Sequence, residues 1–162
     1  MKIALEGEEV KVYEFNLLQA VKIGKQVEEQ GIAFYESLLR SLRERGAREA
    51  IIFLLSEEKE HLAVFEREIN ELSKHHEDGF EGDDIASFLD TRIFSPYVDK
   101  QDLEKIISDR KAALTLGKII ERRSISFYET CVKVTEELRA KDAFAQIVGE
   151  ERKHLRTLEE LG

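Results

Sequence analysis

Six residues of this 162-residue chain have the types and the spacing to hold metal ions. They are Glu28, Glu58, His61, Glu121, Glu151 and His154, and they form two copies of one pattern. Shifted by 93 residues, Glu28 falls on Glu121, Glu58 on Glu151 and His61 on His154. No gap is needed between residues 24 and 66 to keep that register. Gly24/Gly117, Ile32/Ile125, Phe34/Phe127, Tyr35/Tyr128, Glu57/Glu150 and Leu62/Leu155 agree as well. Each half offers a lone Glu and, 30 residues on, a Glu-x-x-His. The i,i+3 spacing puts that Glu and His on one helix face, about 5–6 Å apart at Cβ. Together the halves supply the ligands of a carboxylate-bridged pair of metal ions inside a four-helix bundle.

Four helices must position these groups. A 3.6-residue period predicts the first from about Asn16, a good N-cap, to about Arg45, with Gly46 as its stop. The second is predicted over about Ala47–His75, the third over 109–138 and the fourth over 141–161. The turn between the first two is very short, so they should form an antiparallel hairpin. The third and fourth repeat it, and a pseudo-twofold axis should relate the pairs. A connection over about 77–108 joins the hairpins. It opens on the turn signals Asp78-Gly79 and Gly82 and carries two short helical candidates, Asp84–Arg92 and Asp99–Ile107, with Pro96 between them. The expected class is all-α, one domain over residues 1–162, in the ferritin-like arrangement of two hairpins and a long crossover.

Glu28 lies in the apolar stripe of its helix, flanked by Gly24 and Ile32. Glu58 is flanked by Ile51 and Phe65 at seven residues on either side. Four inward carboxylates would destabilise a core by desolvation and mutual repulsion. Protons relieve part of that cost. Two divalent cations cancel it, with the imidazoles as neutral ligands. Gly24, Gly31, Gly117 and Ser124 leave room for close helix approach. A lone Glu-x-x-His in so Glu-rich a chain carries little information; two copies in register carry much more. A decayed duplicate that keeps the pattern without binding metal is the competing reading.

Other repeated residues admit plainer roles. Tyr35 and Tyr128 are either core aromatics or catalytic candidates, as hydrogen-bond donors to a ligand or oxo group or as redox-active phenols. Glu57, Glu150, Glu36 and Glu129 read as solvated flanks. His75 and His76 suit the end of a helix dipole. Cys131, the single cysteine, reads as a small core residue and leaves no intrachain disulfide or Cys-x-x-Cys knuckle.

Composition narrows the classes. One Pro, no Trp and 36% charged residues favour long solvated helices. A net charge of -9 argues against a nucleic-acid partner or an anionic membrane surface. No segment approaches a membrane span, and the acidic start lacks an apolar signal core, so a cytoplasmic protein is expected.

The segments Val27-Glu28-Glu29-Gln30-Gly31-Ile32-Ala33-Phe34-Tyr35 and Ser56-Glu57-Glu58-Lys59-Glu60-His61-Leu62, repeated at 121–128 and 150–155, resemble the rubrerythrin branch of the ferritin-like diiron proteins. The resemblance spans the chain apart from the N-terminal arm and the crossover. It implies that Glu28 and Glu121 each bind one iron, that Glu58 and Glu151 bridge, and that His61 and His154 each cap one iron. Two departures stand out. With one cysteine, the chain offers no rubredoxin-like domain with two Cys pairs to deliver electrons. Ser124 also stands where those proteins carry an extra carboxylate. The resemblance implies an oxidoreductase that reduces peroxide or dioxygen with an external electron donor. The alternatives are a ferroxidase or iron-handling protein, and a module that metal merely holds together. Iron and manganese suit the ligands, and zinc would also bind. A homodimer is expected too, with Ile85, Phe88, Leu89, Ile93 and Phe94 of the crossover as its apolar surface.

Overall fold

The computed structural model describes residues 1–74, 93, 94, 96, 97 and 99–162. It begins with a hairpin of β1 (Lys2–Glu6) and β2 (Glu9–Tyr13). Among the described residues five helices follow: α1 (Leu17–Ser41), α2 (Arg45–Lys74), α3 (Lys100–Ile107), α4 (Arg110–Val134) and α5 (Leu138–Glu160). The four long helices pack as two pairs, α1 with α2 and α4 with α5, and the pairs meet through α1–α4 and α2–α5 contacts. The chain is helical as expected, with the small sheet as an addition. Among the described residues no helix is long and apolar enough to cross a membrane.

Local chemistry explains where the helices start. The Asn16 side chain accepts from Gln19 N–H, and Asp109 accepts from Ala112 N–H, each satisfying an otherwise free first-turn donor. The ends depart from expectation. Gly46 does not stop α1; it lies in the first turn of α2. Instead Leu42 turns extended (φ -73°, ψ 133°) and buries its side chain. The Arg48 guanidinium then donates to the open carbonyls of Leu39 and Leu42. The second hairpin repeats this connection. Thr135 turns extended (φ -76°, ψ 126°), so α4 ends four residues before the expected 138, and Glu137 caps α5.

The core falls into two apolar clusters. One gathers Phe34, Tyr35, Leu38, Ile51, Leu54, Leu114 and Leu158; the other gathers Val21, Val27, Phe65, Phe127, Tyr128 and Phe144. Phe94 belongs to the second, edge-on to Phe127 at 5.5 Å. Leu103 and Ile107 of α3 belong to the first, so the chain runs lengthwise along the bundle between them. Phe94 is therefore core rather than exposed dimer surface, and Ile93 is half-buried beside it. Asp84–Arg92, Ile85, Phe88, Leu89, His75 and His76 lie outside the described residues.

The β-hairpin packs on α4. Val10 is buried and its N–H donates to Ser126 Oγ at 3.0 Å. Gly7, at φ +65°, makes the tight turn that a side chain would strain.

Asp109→Ala should lower stability by about 1 kcal/mol through loss of the α4 cap. Urea denaturation checks this: the midpoint should fall with an unchanged slope.

Candidate metal centre

Along each long helix the polar layer lies between the two apolar clusters. On α1 it is Glu28, between Val27 and Phe34; on α2, Glu58 and His61, between Leu54 and Phe65. On α4 it is Glu121, between Ile120 and Phe127; on α5, Glu151 and His154, between Val148 and Leu158. All six are at most 3% exposed. The four helices thus bring together every expected ligand.

The six form two overlapping groups. Glu28, Glu58, His61 and Glu151 offer ligand atoms within 4.8 Å of one another, and so do Glu58, Glu121, Glu151 and His154. Glu58 and Glu151 belong to both groups. Each group has one lone Glu and one His of its own. His61 Nδ1 lies 3.3 Å from Glu28 Oε2 and 3.2 Å from Glu151 Oε1. His154 Nδ1 lies 3.1 Å from Glu151 Oε2 and 3.9 Å from Glu121 Oε2. The rings are stacked at 5.6 Å.

Four inward atoms, Glu28 Oε2, Glu151 Oε2, His61 Nδ1 and His154 Nδ1, crowd together at ion-pair distance without a well-aligned hydrogen bond. Buried polar atoms are rarely left so. Two carboxylate oxygens and two imidazole nitrogens converging on one interior are the donors a divalent cation takes. The residues of each group fit a metal ion.

The outer edges of the site are held crosswise. Tyr35 Oη donates to Glu121 Oε1 and Tyr128 Oη to Glu28 Oε1, so each tyrosine bonds the lone Glu of the opposite half. Glu57 and Glu150 are not merely solvated flanks. Glu150 Oε2 is 2.8 Å from His61 Nε2, and Glu57 Oε2 is 3.0 Å from His154 Nε2. A carboxylate there holds a proton on Nε2, so that Nδ1, facing the centre, is the nitrogen that would bind a cation. The repeat of Glu57 and Glu150 was their one sequence signal. Their partners sit on the other hairpin, where single-helix geometry does not reach. Glu36 and Glu129 are surface residues, paired with Lys59 and Arg152. Cys131 is fully buried core.

Gly31 makes room for a shared carboxylate. A Cβ there would lie 2.9 Å from Glu58 Oε1. Its repeat partner Ser124 is buried and donates its hydroxyl to the Ile120 carbonyl at 3.0 Å.

Protons share the metal-free site unequally. Burial, then the charges of Glu151 and Glu28, hold the Glu58 carboxyl well above the usual range. Burial and Glu151 do the same to Glu121, and burial and Glu28 raise Glu151. Burial also pushes Glu28 up, but hydrogen bonds with Glu58 and His61 outweigh it and hold that carboxyl below the usual range. Burial would lower His61, yet its bonds to Glu151, Glu28 and Glu58 keep it protonated far above the ordinary imidazole value. Burial and neighbouring carboxylates raise both tyrosines well above theirs.

No protein-family model matches this chain, nor does any curated protein or solved structure.

These directions set the stability of the metal-free protein. Glu58, Glu121 and Glu151 are raised above the ordinary carboxylate value of 4.5. Their stabilising contribution is therefore full below that value and is lost as pH rises through the native values. His61, raised as well, acts in the same direction. With chelator present, the urea midpoint should fall steadily from about pH 5 to about pH 8. Glu58→Gln should flatten that slope.

Proposed function

We propose that this chain is a dinuclear metal carboxylate protein of the rubrerythrin-like, ferritin-like type, and a redox enzyme acting on peroxide or dioxygen. One observation carries the reading: two complete ligand groups share Glu58 and Glu151 in a dry layer of the bundle. Glu28 and His61 would hold one ion and Glu121 and His154 the other, with Glu58 and Glu151 between them. Bound there, the pair supplies Lewis acidity and, as iron or manganese, electrons for the O–O bond.

The chain's own groups do the rest. Tyr35 and Tyr128 fix the orientation of Glu121 and Glu28 and keep their phenol protons. Glu57 and Glu150 fix the histidine tautomers. The apolar clusters on either side exclude bulk water, so fixed dipoles replace it around developing charge. Reduction of hydrogen peroxide takes two electrons and two protons and yields two waters. The electrons come from a separate donor protein in this reading. A homodimer belongs to the same proposal; light scattering should give a mass above the 18.7 kDa of one chain, and a particle of that mass alone would refute it.

Ser124 favours a second reading. Its hydroxyl is turned back to its own helix and adds nothing to the centre. That leaves a symmetric ligand set suited to dioxygen and Fe(II) oxidation, as in a ferroxidase.

Anaerobic Fe(II) titration should give two equivalents per chain. His61→Ala and His154→Ala should each weaken one site, and Glu150→Gln should cost about 10–100-fold in affinity. Two equivalents retained after both histidines are lost would end the assignment.

The reduced iron protein should react faster with peroxide than with dioxygen in stopped-flow mixing. A wild-type preference for dioxygen that Ser124→Glu reverses would select the ferroxidase reading instead.

A further inference from the structure

The centre is sealed above and below by apolar side chains, so an ion must reach it from a flank. A cavity of about 110 Å³ lies between α2 and α5, against the outer edge of His61. Its polar walls are Glu60, Arg67, Gln146 and Glu150, and Ala143 forms part of the remainder. The space holds several waters. Glu60 is exposed. The Glu150 side chain is 25% exposed, and its Oε2 bonds His61 Nε2 at 2.8 Å. Glu150 therefore touches both the wet cavity and a residue of the dry centre.

The repeat breaks at this place. On the opposite flank, Lys153 stands where Glu60 does and Phe53 where Gln146 does. Each histidine keeps one carboxylate at its outer edge, Glu150 at His61 and Glu57 at His154. Arg67 lines the cavity as well, and its repeat partner is Glu160. The difference lies next to those carboxylates, with Glu60 and Gln146 on the His61 flank against Lys153 and Phe53 on the other.

We propose that the cavity between α2 and α5 is the entry for divalent cations, with Glu60 and Glu150 passing the ion inward. The inference rests on the metal-centre reading above. Physically, a bare ion cannot cross an apolar wall without a large desolvation cost. Transfer from carboxylate to carboxylate keeps it coordinated throughout. Glu150 releases His61 as the ion passes and bonds it again afterwards, which restores the tautomer that leaves Nδ1 free to bind.

The test is stopped-flow uptake of cobalt(II) by metal-free protein, followed by its visible absorption, with a separate equilibrium count of bound ions. Ala143→Phe plugs the cavity without touching a ligand. Ala50→Phe makes the same change at the repeat position on the opposite flank. Ala143→Phe should slow uptake about tenfold or more, while Ala50→Phe leaves it unchanged and both still bind two ions. Glu60→Gln keeps the packing and should slow uptake about two- to tenfold and weaken its salt dependence. Should Ala143→Phe misfold, the Glu60→Gln rate decides alone. Wild-type rates in both Ala143→Phe and Glu60→Gln, or equal slowing by Ala50→Phe, would overturn the route. A wild type that binds no cobalt at equilibrium refutes the metal centre itself, and the route with it.

Discussion

Four carboxylates in two overlapping groups, each within a few ångströms and walled off from water, set the terms for everything else in this fold. At about 4 Å and an effective dielectric near 20, each like-charge pair costs about 4 kcal/mol. Whole domains are stable by only about 5–15 kcal/mol. The chain cannot hold all four ionised without compensation. Without metal, protons compensate: Glu58, Glu121 and Glu151 are raised, His61 stays cationic, and Glu28 alone is favoured as the anion. That answer is partial, because Glu28 Oε2, Glu151 Oε2 and both Nδ1 atoms still lack a well-aligned hydrogen bond. Cations would answer it more fully, since they satisfy the same atoms that protons leave over.

The scaffold meets this constraint by making neither hairpin self-sufficient. Tyr35 on α1 serves Glu121 on α4, and Tyr128 on α4 serves Glu28 on α1. Glu57 on α2 serves His154 on α5, and Glu150 on α5 serves His61 on α2. A hairpin alone would expose its carboxylates and lose the groups that orient its ligands. The polar layer thus specifies how the two pairs dock, which apolar packing alone would leave less defined. Aromatic residues then close the second cluster beside it, with Phe65 stacked on Tyr128 at 5.6 Å.

The repeat made the ligands legible because identical chemistry needs identical spacing, and 93 residues separate every pair. The helix cap at Asn16 was legible as well, since a short polar side chain before an amphipathic run is a local signal. Three features were not read. The turns at Leu42 and Thr135 carry neither Gly nor Pro at the break; they form because an extended residue there is better buried than a helical one. The N-terminal hairpin did have a signal, the alternation Ile3, Leu5 and Val10, Val12 around Gly7, in a chain whose helical period dominated the reading. The pairing of Glu57 and Glu150 with histidines had none within one helix, because it exists only once two hairpins meet.

Where the halves differ is as informative as where they agree. The candidate ligand sets match residue for residue, yet Gly31 leaves space beside Glu58 while Ser124 stands at its repeat position on α4. Outside the ligands, Glu60 faces Lys153 and Gln146 faces Phe53 across the repeat. A twofold-symmetric ligand set therefore sits in an asymmetric surround. Affinity is set mainly by the ligands, so the two ion positions should bind alike. Access, solvent contact and the freedom of a shared carboxylate to move are set by the surround, and these are unequal. With ions bound, unequal approach would let one position exchange with solvent while the other stays closed, and the difference would lie in the residues around the six Glu and His side chains.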